Sequence, residues 1–122
     1  MEVVPDDFGL IEDRLHHFVD AGCDLIFTTG GTGLTPYDIT PEATRAVIDR
    51  EAPGFAETMR AEGLKHTPHG ILTRGVSGIA GRTLIVNFPG NPPAIEQAGA
   101  ALEKAIPHAV SLLSGERGHP HR

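Results

Sequence analysis

A glycine-rich loop and two acidic side chains are the residues of this chain whose types and spacing could do chemistry. Residues Thr29–Gly33 read TGGTG and follow an apolar run. Glycine allows positive φ and a close approach of the backbone to a ligand, so consecutive N–H groups can form an anion-binding concavity. Asp6 and Asp38 could bind Mg²⁺, which usually takes one or two carboxylates together with water and substrate phosphates. This combination indicates a site for a phosphorylated ligand and its metal ion.

Polar side chains in two further turns extend the candidate site. Arg74 follows a predicted strand and is the obvious cation for a phosphate bound there. Asn91 lies in the turn PGNP after another apolar run, where it tolerates unusual φ and offers both a donor and an acceptor. Both residues extend the polar edge that the glycine-rich loop begins.

Each of these features also has a purely structural interpretation. Glycine-rich turns after strands are common, and this one is neither a Walker loop nor a GxGxxG motif that opens directly into a helix. Asp38 could close a turn, and Asp7, next to Asp6, is more easily explained as a helix cap. Arg74 and Asn91 could form a surface salt bridge and a surface turn. Their common location after strands is what favours a functional interpretation.

Four short apolar segments predict the strands that position these residues: Glu2–Val4, Asp24–Thr28, Gly70–Thr73 and Arg82–Phe88. The second and fourth are continuous rather than alternating, as buried parallel strands tend to be. Because helical segments lie between them, the pattern predicts βαβ units with parallel pairing and therefore an α/β fold. Ligands bind such sheets beyond the carboxyl ends of the strands, which is where all the candidate residues lie.

Helical spacing and end signals predict the helices between the strands, over residues 10–19, 40–50, 53–63 and 93–113. Asp7 is the expected N-cap of the first helix and Gly22 its expected stop. Thr40 is expected to cap the second helix with its hydroxyl, because Pro and Glu follow it. Pro107 is expected to kink or split the last helix.

Composition and charge exclude several classes of protein. The chain has 122 residues, 39% of them hydrophobic, and a net charge of −6, which indicates one globular domain over residues 1–122 with a frayed polar tail at 115–122. Lys and Arg are scattered, so no nucleic-acid partner is expected. The absence of a membrane-length apolar run and of a signal pattern predicts no membrane association and a cytoplasmic protein. A single cysteine excludes a disulfide framework, and the seven histidines lack the HExxH spacing of a zinc site.

Five stretches of the chain together resemble the molybdopterin adenylyltransferase family, which includes the MogA and MoaB types and the G domains of gephyrin and plant Cnx proteins. They are VVPDD, TTGGTGLTPYDITPEAT, DREAPGF, ILTRGVSGIAGRTLIVNFPGNP and LLSGERGHPH, in the family's order and over essentially the whole chain. The pattern TTGGTG followed by DxTPEAT is the specific one. Molybdotransferases of this fold usually carry a GGVS-like loop and competence-damage proteins a GGLGPT-like loop, and neither is present.

The resemblance implies a three-layer α/β fold with a mostly parallel sheet, a homotrimer and one reaction. In it, the terminal phosphate of molybdopterin attacks the α-phosphate of Mg-ATP, giving adenylyl-molybdopterin and pyrophosphate. Hand-over of the product to a molybdate-inserting enzyme is the expected next step. By motif match, Asp6 and Asp38 would be the catalytic and Mg²⁺-binding pair. The matched substrate-binding residues are Thr29, Gly30, Gly31, Thr32, Gly33, Thr73, Arg74, Gly90 and Asn91.

The chain departs from the family pattern in two places. Tyr37 stands where many members have Arg, which removes a possible phosphate contact. The family also begins with a strand–helix unit that carries TVSDR-like and DxSG-like segments, and nothing in the chain matches it. The missing unit predicts an N-terminally truncated form of the fold and a longer natural protein. The alternative to an enzyme is therefore a non-catalytic molybdopterin-binding or oligomerisation domain.

Overall fold

The computed structural model describes residues 1–115, and the predicted tail beyond Gly115 lies outside the described residues. The helices are α1 (Phe8–Asp20), α2 (Thr40–Val47), α3 (Pro53–Leu64), α4 (Pro92–Leu102) and α5 (Ala105–Leu113), with a 3₁₀ helix, η1 (Pro68–Leu72), after α3. The strands are β1 (Leu25–Thr29), β2 (Arg50–Glu51), β3 (Ser77–Ala80) and β4 (Thr83–Phe88). None of the helices in the described part is long and apolar enough to cross a membrane.

The four described strands form one sheet in the order β1-β4-β3-β2. β1 pairs in parallel with β4, with Leu25 opposite Leu84 and Thr29 opposite Phe88. β3 is antiparallel to β4, and β2 is antiparallel to β3. β2 therefore runs in the direction of β1 and β4, and β3 alone opposes them among the described strands. The predicted α/β class is confirmed, but the described sheet is mixed rather than mostly parallel, because two of its three strand pairings are antiparallel.

Helices cover both faces of the sheet, so the implied three-layer arrangement is also confirmed. All six residues of β4 are buried, as its continuous apolar run predicts. Alternate side chains of β4 enter two separate cores. The core on the α3, α4 and α5 face contains Met59, Leu84, Val86, Phe88, Ala98 and Leu102. The core on the α1 and α2 face contains Ile11, Leu15, Ala43, Val47 and Ile85.

The predicted ends of α1 are confirmed, whereas the predicted cap of α2 is wrong. An Oδ1 of Asp7 accepts a hydrogen bond from the N–H of Leu10 at 3.0 Å, and Gly22 follows the helix with φ of +85°. Ile39 is the N-cap of α2 and makes no side-chain capping hydrogen bond, while Thr40 is already helical and buried. The hydroxyl of Thr40 packs against the backbone of Gly31 instead of capping the helix.

Two other helix predictions need only their bounds corrected. The second helix ends at Val47 rather than near Arg50, because Ile48 turns to extended backbone that leads into β2. The last helical stretch is split, as Pro107 predicts, but the break lies just upstream, between α4 and α5. The ring of a helical proline clashes with the carbonyl four residues before it, which here is that of Glu103. Pro107 itself lies in the first turn of α5, where its missing N–H is not needed.

Two predicted strands are wrong, and two short strands were missed. Glu2–Val4 has no regular structure, although a salt bridge of 2.7 Å between Glu2 and Arg14 fastens it to α1. Gly70–Thr73 falls mostly within η1, because Thr67 caps a turn that Pro68 begins. β3 was missed because its residues are mostly small, and β2 because it consists of two charged residues. Their antiparallel pairing depends on the neighbouring strand rather than on their own sequence.

Asn87 on β4 connects the segments that lead into the polar edge of the sheet. It is 1% exposed; its Oδ1 accepts from the N–H of Val76 at 3.1 Å, and its Nδ2 donates to the hydroxyls of Thr28 at 2.9 Å and Thr44 at 3.0 Å. One amide side chain thus joins β1, α2, β4 and the residue before β3. A buried donor left without a partner costs about 1–3 kcal/mol.

We expect Asn87→Ala to lower the free energy of unfolding by about 3 kcal/mol, because it strands a buried N–H and two hydroxyls at once. Urea unfolding followed by circular dichroism measures the change. Thr58→Ala, on the exposed face of α3, is the control and should change stability by less than about 0.5 kcal/mol. Equal stabilities of the two variants would show that the network is not stabilising.

Candidate functional site

The glycine loop, which we define as Gly30–Asp38, leaves the carboxyl end of β1 at the edge of the sheet where β4 also ends. Gly30 and Gly31 have φ of +84° and +69°, a region that favours glycine. The N–H of Gly30 donates to the carbonyl of Phe88 at 3.1 Å, and the carbonyl of Gly31 accepts from the N–H of Thr40 at 3.1 Å. The loop is therefore tied both to β4 and to the start of α2.

Gly31 leaves room for Thr40 and Gly33 for the carboxylate of Asp38, and neither position leaves room for a side chain of its own. A Cβ at Gly31 would collide with Oγ1 of Thr40 and would lie 3.7 Å from an Oδ1 of Asp6. A Cβ at Gly33 would lie 2.9 Å from Oδ2 of Asp38, closer than real Cβ atoms approach. The structure thus brings Asp6, which is distant in the sequence, to the loop that ends at Asp38.

Hydrogen bonds within the loop fix the carboxylate of Asp38. Its Oδ2 accepts from the N–H of Thr35 at 3.0 Å and from the hydroxyl of Thr35 at 2.7 Å. These two bonds, followed by smaller effects of the Gly33 backbone and the charge of Arg74, hold the pKa of Asp38 below its ordinary value. Asp38 is therefore ionised at neutral pH and is suited to hold a cation beside a bound phosphate.

The structure separates the roles of the adjacent residues Asp6 and Asp7. Asp7 caps α1, which confirms its structural interpretation. Asp6 is exposed and lies outside the helix, in a turn where the N–H of Asp7 donates to the carbonyl of Pro5 at 2.8 Å. Because the capping role falls to Asp7, the carboxylate of Asp6 is left to face the loop at Gly31.

The remaining predicted residues meet the loop from two other segments. The hydroxyl of Thr73 donates to Oγ1 of Thr32 at 3.1 Å, and the N–H of Arg74 donates to the carbonyl of Thr32 at 2.7 Å. A Cβ at Gly90, after β4, would lie 3.1 Å from the Cα of Gly30. Thr32 is buried and its hydroxyl serves the internal structure of the loop, whereas Thr29, the last residue of β1, is exposed. The predicted set is therefore one connected cluster.

Arg74 directs its guanidinium at the glycine loop and α2. Its Nε donates to the carbonyl of Gly33 at 2.8 Å, its Nη2 donates to the carbonyl of Asp38 at 2.5 Å, and its Nη1 donates to the Glu42 carboxylate at 2.6 Å. The hydrogen-bonded ion pair raises the pKa of Arg74 and lowers that of Glu42, since each charge favours the other. In this structure the guanidinium is bound by the protein itself, and its phosphate-binding role stays a prediction.

A cavity of about 450 Å³ adjoins this cluster, between α3, η1 and α4. Asn91 lines it and also caps α4, because its Oδ1 accepts from the N–H of Ala94 at 3.3 Å. Thr73, which contacts the glycine loop, lines it as well. Apolar side chains form much of the wall, whereas its ionisable lining residues are Arg60, His66 and His69. Among the described residues, no Asp or Glu lines this cavity.

Sequence reasoning missed these three basic lining residues. Arg60 donates from Nη1 to the carbonyls of Thr73 at 3.3 Å and Gly75 at 3.0 Å, so it supports the segment that reaches the glycine loop. The sequence did contain a signal for the histidines, since a hydroxyl residue followed by proline predicts the start of a helix. That start, at Thr67 and Pro68, is the turn that places His66 and His69 at the cavity.

The arrangement fits a phosphate ligand that brings its own cation. Within residues 1–115, no three His, Cys, Asp or Glu side chains are grouped so that they could hold a metal ion by themselves. Asp6 and Asp38 are instead a pair of carboxylates beside a glycine-rich loop. Such a pair fits Mg²⁺, because water and substrate phosphates supply its remaining ligands. The site can thus bind a polyphosphate with its metal and a second ligand in the adjoining cavity.

The sequence of the chain matches a known protein family. The model of the probable molybdopterin binding domain matches residues 1–108. The molybdopterin adenylyltransferase of Helicobacter pylori J99 is 46% identical over 115 residues, which are 93% of this chain and 65% of that protein. The molybdenum cofactor synthesis protein cinnamon of Drosophila melanogaster is 39% identical over 93% of this chain and 19% of its own length. The chain thus spans about 65% of the length of the bacterial relative.

Solved structures share the fold. The molybdopterin biosynthesis enzyme MoaB of Thermus thermophilus superposes with a TM-score of 0.86 at 51% identity, over 93% of this chain and 72% of that one. The molybdopterin biosynthesis Mog protein of Mycobacterium ulcerans superposes with a TM-score of 0.90 at 43% identity, over 94% and 74%. The glycine loop and the cavity beside it therefore lie in a fold that is found in molybdopterin biosynthesis proteins.

Proposed function

The chain belongs to the family of probable molybdopterin binding domains, and we propose that it adenylylates molybdopterin in molybdenum cofactor biosynthesis. A phosphate oxygen of molybdopterin attacks the α-phosphorus of ATP. The bond from that phosphorus to the bridging oxygen of the β-phosphate breaks, and its electron pair leaves with pyrophosphate. The observation that carries the proposal is that two carboxylates border the glycine loop, Asp6 near Gly31 and Asp38 near Gly33. The relatives named molybdopterin adenylyltransferase support it.

The residues of the site suit a reaction that needs no general base. A phosphate monoester has a second pKa of about 6, so its attacking oxygen is already ionised near neutral pH. Catalysis then consists of positioning two phosphates and neutralising their charge. The N–H of Gly30 is bonded to the carbonyl of Phe88, so the N–H groups that could bind phosphate oxygens are those of Gly31, Thr32 and Gly33. Asp38 is held in its ionised form by Thr35.

We propose that ATP enters with Mg²⁺ and that Asp6 and Asp38 bind this ion. When bound, Mg²⁺ neutralises charge that develops on the phosphate oxygens during transfer. Asp6 lies near Gly31 and Asp38 near Gly33, so both carboxylates border the stretch where phosphate is expected. The loop residues hold the phosphates in place, and the carboxylates keep the cation beside them.

We further propose that the ring system of molybdopterin occupies the cavity between α3, η1 and α4. The cavity joins the glycine loop through Thr73, so a ligand seated there could extend its phosphate to Gly30–Gly33. Its walls are partly apolar, through Met59 and Ala98, as suits a planar heterocycle. Arg60 and Asn91, which also line the cavity, offer polar contacts to a ligand.

A turnover assay with purified protein, molybdopterin and ATP tests the proposal. We expect adenylyl-molybdopterin and pyrophosphate in equal amounts, and turnover that falls at least about a hundredfold when Mg²⁺ is removed by a chelator. Detection of both products by mass spectrometry separates transfer from simple ATP hydrolysis. ATP consumption without adenylyl-molybdopterin would contradict the proposal.

The second candidate is a non-catalytic domain that binds molybdopterin or supports oligomerisation. What favours it is that Arg74, the expected phosphate cation, is bound in the structure by Glu42 and by the carbonyls of Gly33 and Asp38. Molybdopterin binding measured by calorimetry distinguishes the two functions when it is combined with the turnover assay. Binding without product would support the second candidate and exclude the first.

The setting of this function is also part of the proposal. We propose a cytoplasmic homotrimer that passes adenylyl-molybdopterin to a molybdate-inserting enzyme. The resemblance of the sequence to the adenylyltransferase family supports the trimer and the hand-over. Sedimentation analysis of the sample used for turnover tests the trimer, and a monomeric active protein would exclude it.

A further inference from the structure

Arg74 is placed to hold the glycine loop rather than to bind a ligand. Its Nε and Nη2 donate to the carbonyls of Gly33 and Asp38, which lie towards the end of that loop. Its Nη1 and Nη2 both donate to the carboxylate of Glu42, at 2.6 and 3.3 Å. A guanidinium has five N–H groups, and these four bonds leave one of them over. A phosphate could therefore engage Arg74 fully only if existing bonds broke.

Glu42 completes the arrangement from the first turn of α2. The guanidinium binds this carboxylate on α2 and two carbonyls of the loop. The interaction therefore joins the segment before β3, the loop and α2. The backbone N–H of Arg74 adds a further bond to the loop at the carbonyl of Thr32, 2.7 Å away. Bidentate Arg–carboxylate pairs are geometrically specific, and here the geometry fixes where the loop can lie.

We propose that Arg74 and Glu42 form a clamp that positions the glycine loop, so that Arg74 is a positioning residue and not a phosphate ligand. The kinetic test of this clamp rests on the proposed adenylyl transfer. The clamp sets the position of Asp38 by holding its carbonyl while Thr35 holds its carboxylate. Glu42 therefore contributes to ligand binding without touching the ligand.

The two possible roles of Arg74 predict opposite effects of Glu42→Gln. If Glu42 and Arg74 form a clamp, the substitution loosens the loop and lowers kcat/KM for ATP, by about tenfold if the loop shifts slightly. If Arg74 binds phosphate directly, Glu42 competes for it, and its neutralisation should leave kcat/KM unchanged or raise it. Glu42 is half-exposed at its side chain, so Glu42→Gln is expected to fold.

A fluorescence measurement tests the clamp without relying on activity. Tyr37 is the only tyrosine of the chain, there is no tryptophan, and Tyr37 is 77% exposed next to Asp38 at the end of the glycine loop. Its anisotropy and its quenching by acrylamide, which carries no charge, therefore report on this loop alone. We expect Glu42→Gln and Arg74→Lys each to lower the anisotropy and to increase the quenching. Glu57→Gln, on the exposed surface of α3, is the charge-matched control and should change neither.

Combination of the two substitutions completes the test. For residues that act as one clamp, the double variant should lose no more kcat/KM than Arg74→Lys alone, because interacting residues are not additive. Additive losses, or a gain on Glu42→Gln, would overturn the clamp. If the unsubstituted protein shows no transfer, the proposed function has failed, and the fluorescence of Tyr37 alone tests the clamp. Unchanged anisotropy and quenching in both single variants would then overturn it.

Discussion

Replacement of Asp38 by Asn should lower adenylyl-transfer turnover by about three orders of magnitude while the fold is retained. The substitution preserves shape and an oxygen that can accept from the N–H of Thr35, but it removes the negative charge. Charge at a site that binds metal and phosphate is commonly worth factors of this size in kcat. The measurement is kcat and KM for Mg-ATP, together with the thermal unfolding midpoint.

Asp7→Asn is the matched control for this substitution. It makes the same chemical change beside Asp6, and Asn caps helices about as well as Asp, so both α1 and turnover should be unaffected. Asp6→Asn should behave like Asp38→Asn if the two carboxylates share the ion. If Asp38→Asn turned over at the rate of the control, Asp38 would have no part in the reaction.

Gly31→Ala should lower turnover about a hundredfold and also destabilise the protein by roughly 2 kcal/mol. The added Cβ meets the hydroxyl of Thr40, which is buried, and the backbone φ of +69° disfavours any L side chain. Because Thr40 cannot move away freely, the loop has to shift, and small displacements of positioning groups are enough to cost about a factor of a hundred. Steady-state kinetics and urea unfolding measure the two effects.

Two other glycines separate the contributions of backbone strain and collision. Gly81 also has positive φ, of +62°, but has nothing within 4 Å of an added Cβ, so Gly81→Ala should cost about 1 kcal/mol and leave turnover intact. Gly99 lies in α4 with neither problem, and Gly99→Ala should be neutral or stabilise the helix by up to about 1 kcal/mol. Equal turnover in Gly31→Ala and Gly81→Ala would mean that the shape of the loop at Gly31 is unimportant.

The location of the candidate site could be predicted because it follows from strand direction. Long apolar runs at β1 and β4 predict buried strands, and parallel strands end at the same edge of a sheet. The residues after β1 and β4 had therefore to meet, and Gly30 and Gly90 do pack together. The cap of α1 was predictable for a different reason, because the hydrogen bond of an N-cap joins residues only three positions apart.

The strands β2 and β3 could not be read from the sequence. Arg50–Glu51 is too short and polar to show a pattern, and Ser77–Ala80 contains mostly small residues. Each becomes a strand because its backbone pairs with a neighbouring strand, and the position of that neighbour depends on residues elsewhere in the chain. The predicted strand at Gly70–Thr73 was wrong for a local reason. Its apolar residues are typical of a strand, but the turn that begins at Pro68 forms a 3₁₀ helix there.

By itself the sequence determined the fold class, the glycine loop and the identity of the acidic residues, because these depend on local composition and on period. Only the tertiary structure decided what the side chains do there. It turned Arg74 towards Glu42 and opened a cavity lined by Arg60. Hydrogen-bond partners are chosen by proximity in space, and for these residues the partner or the cavity wall comes from several distant parts of the chain.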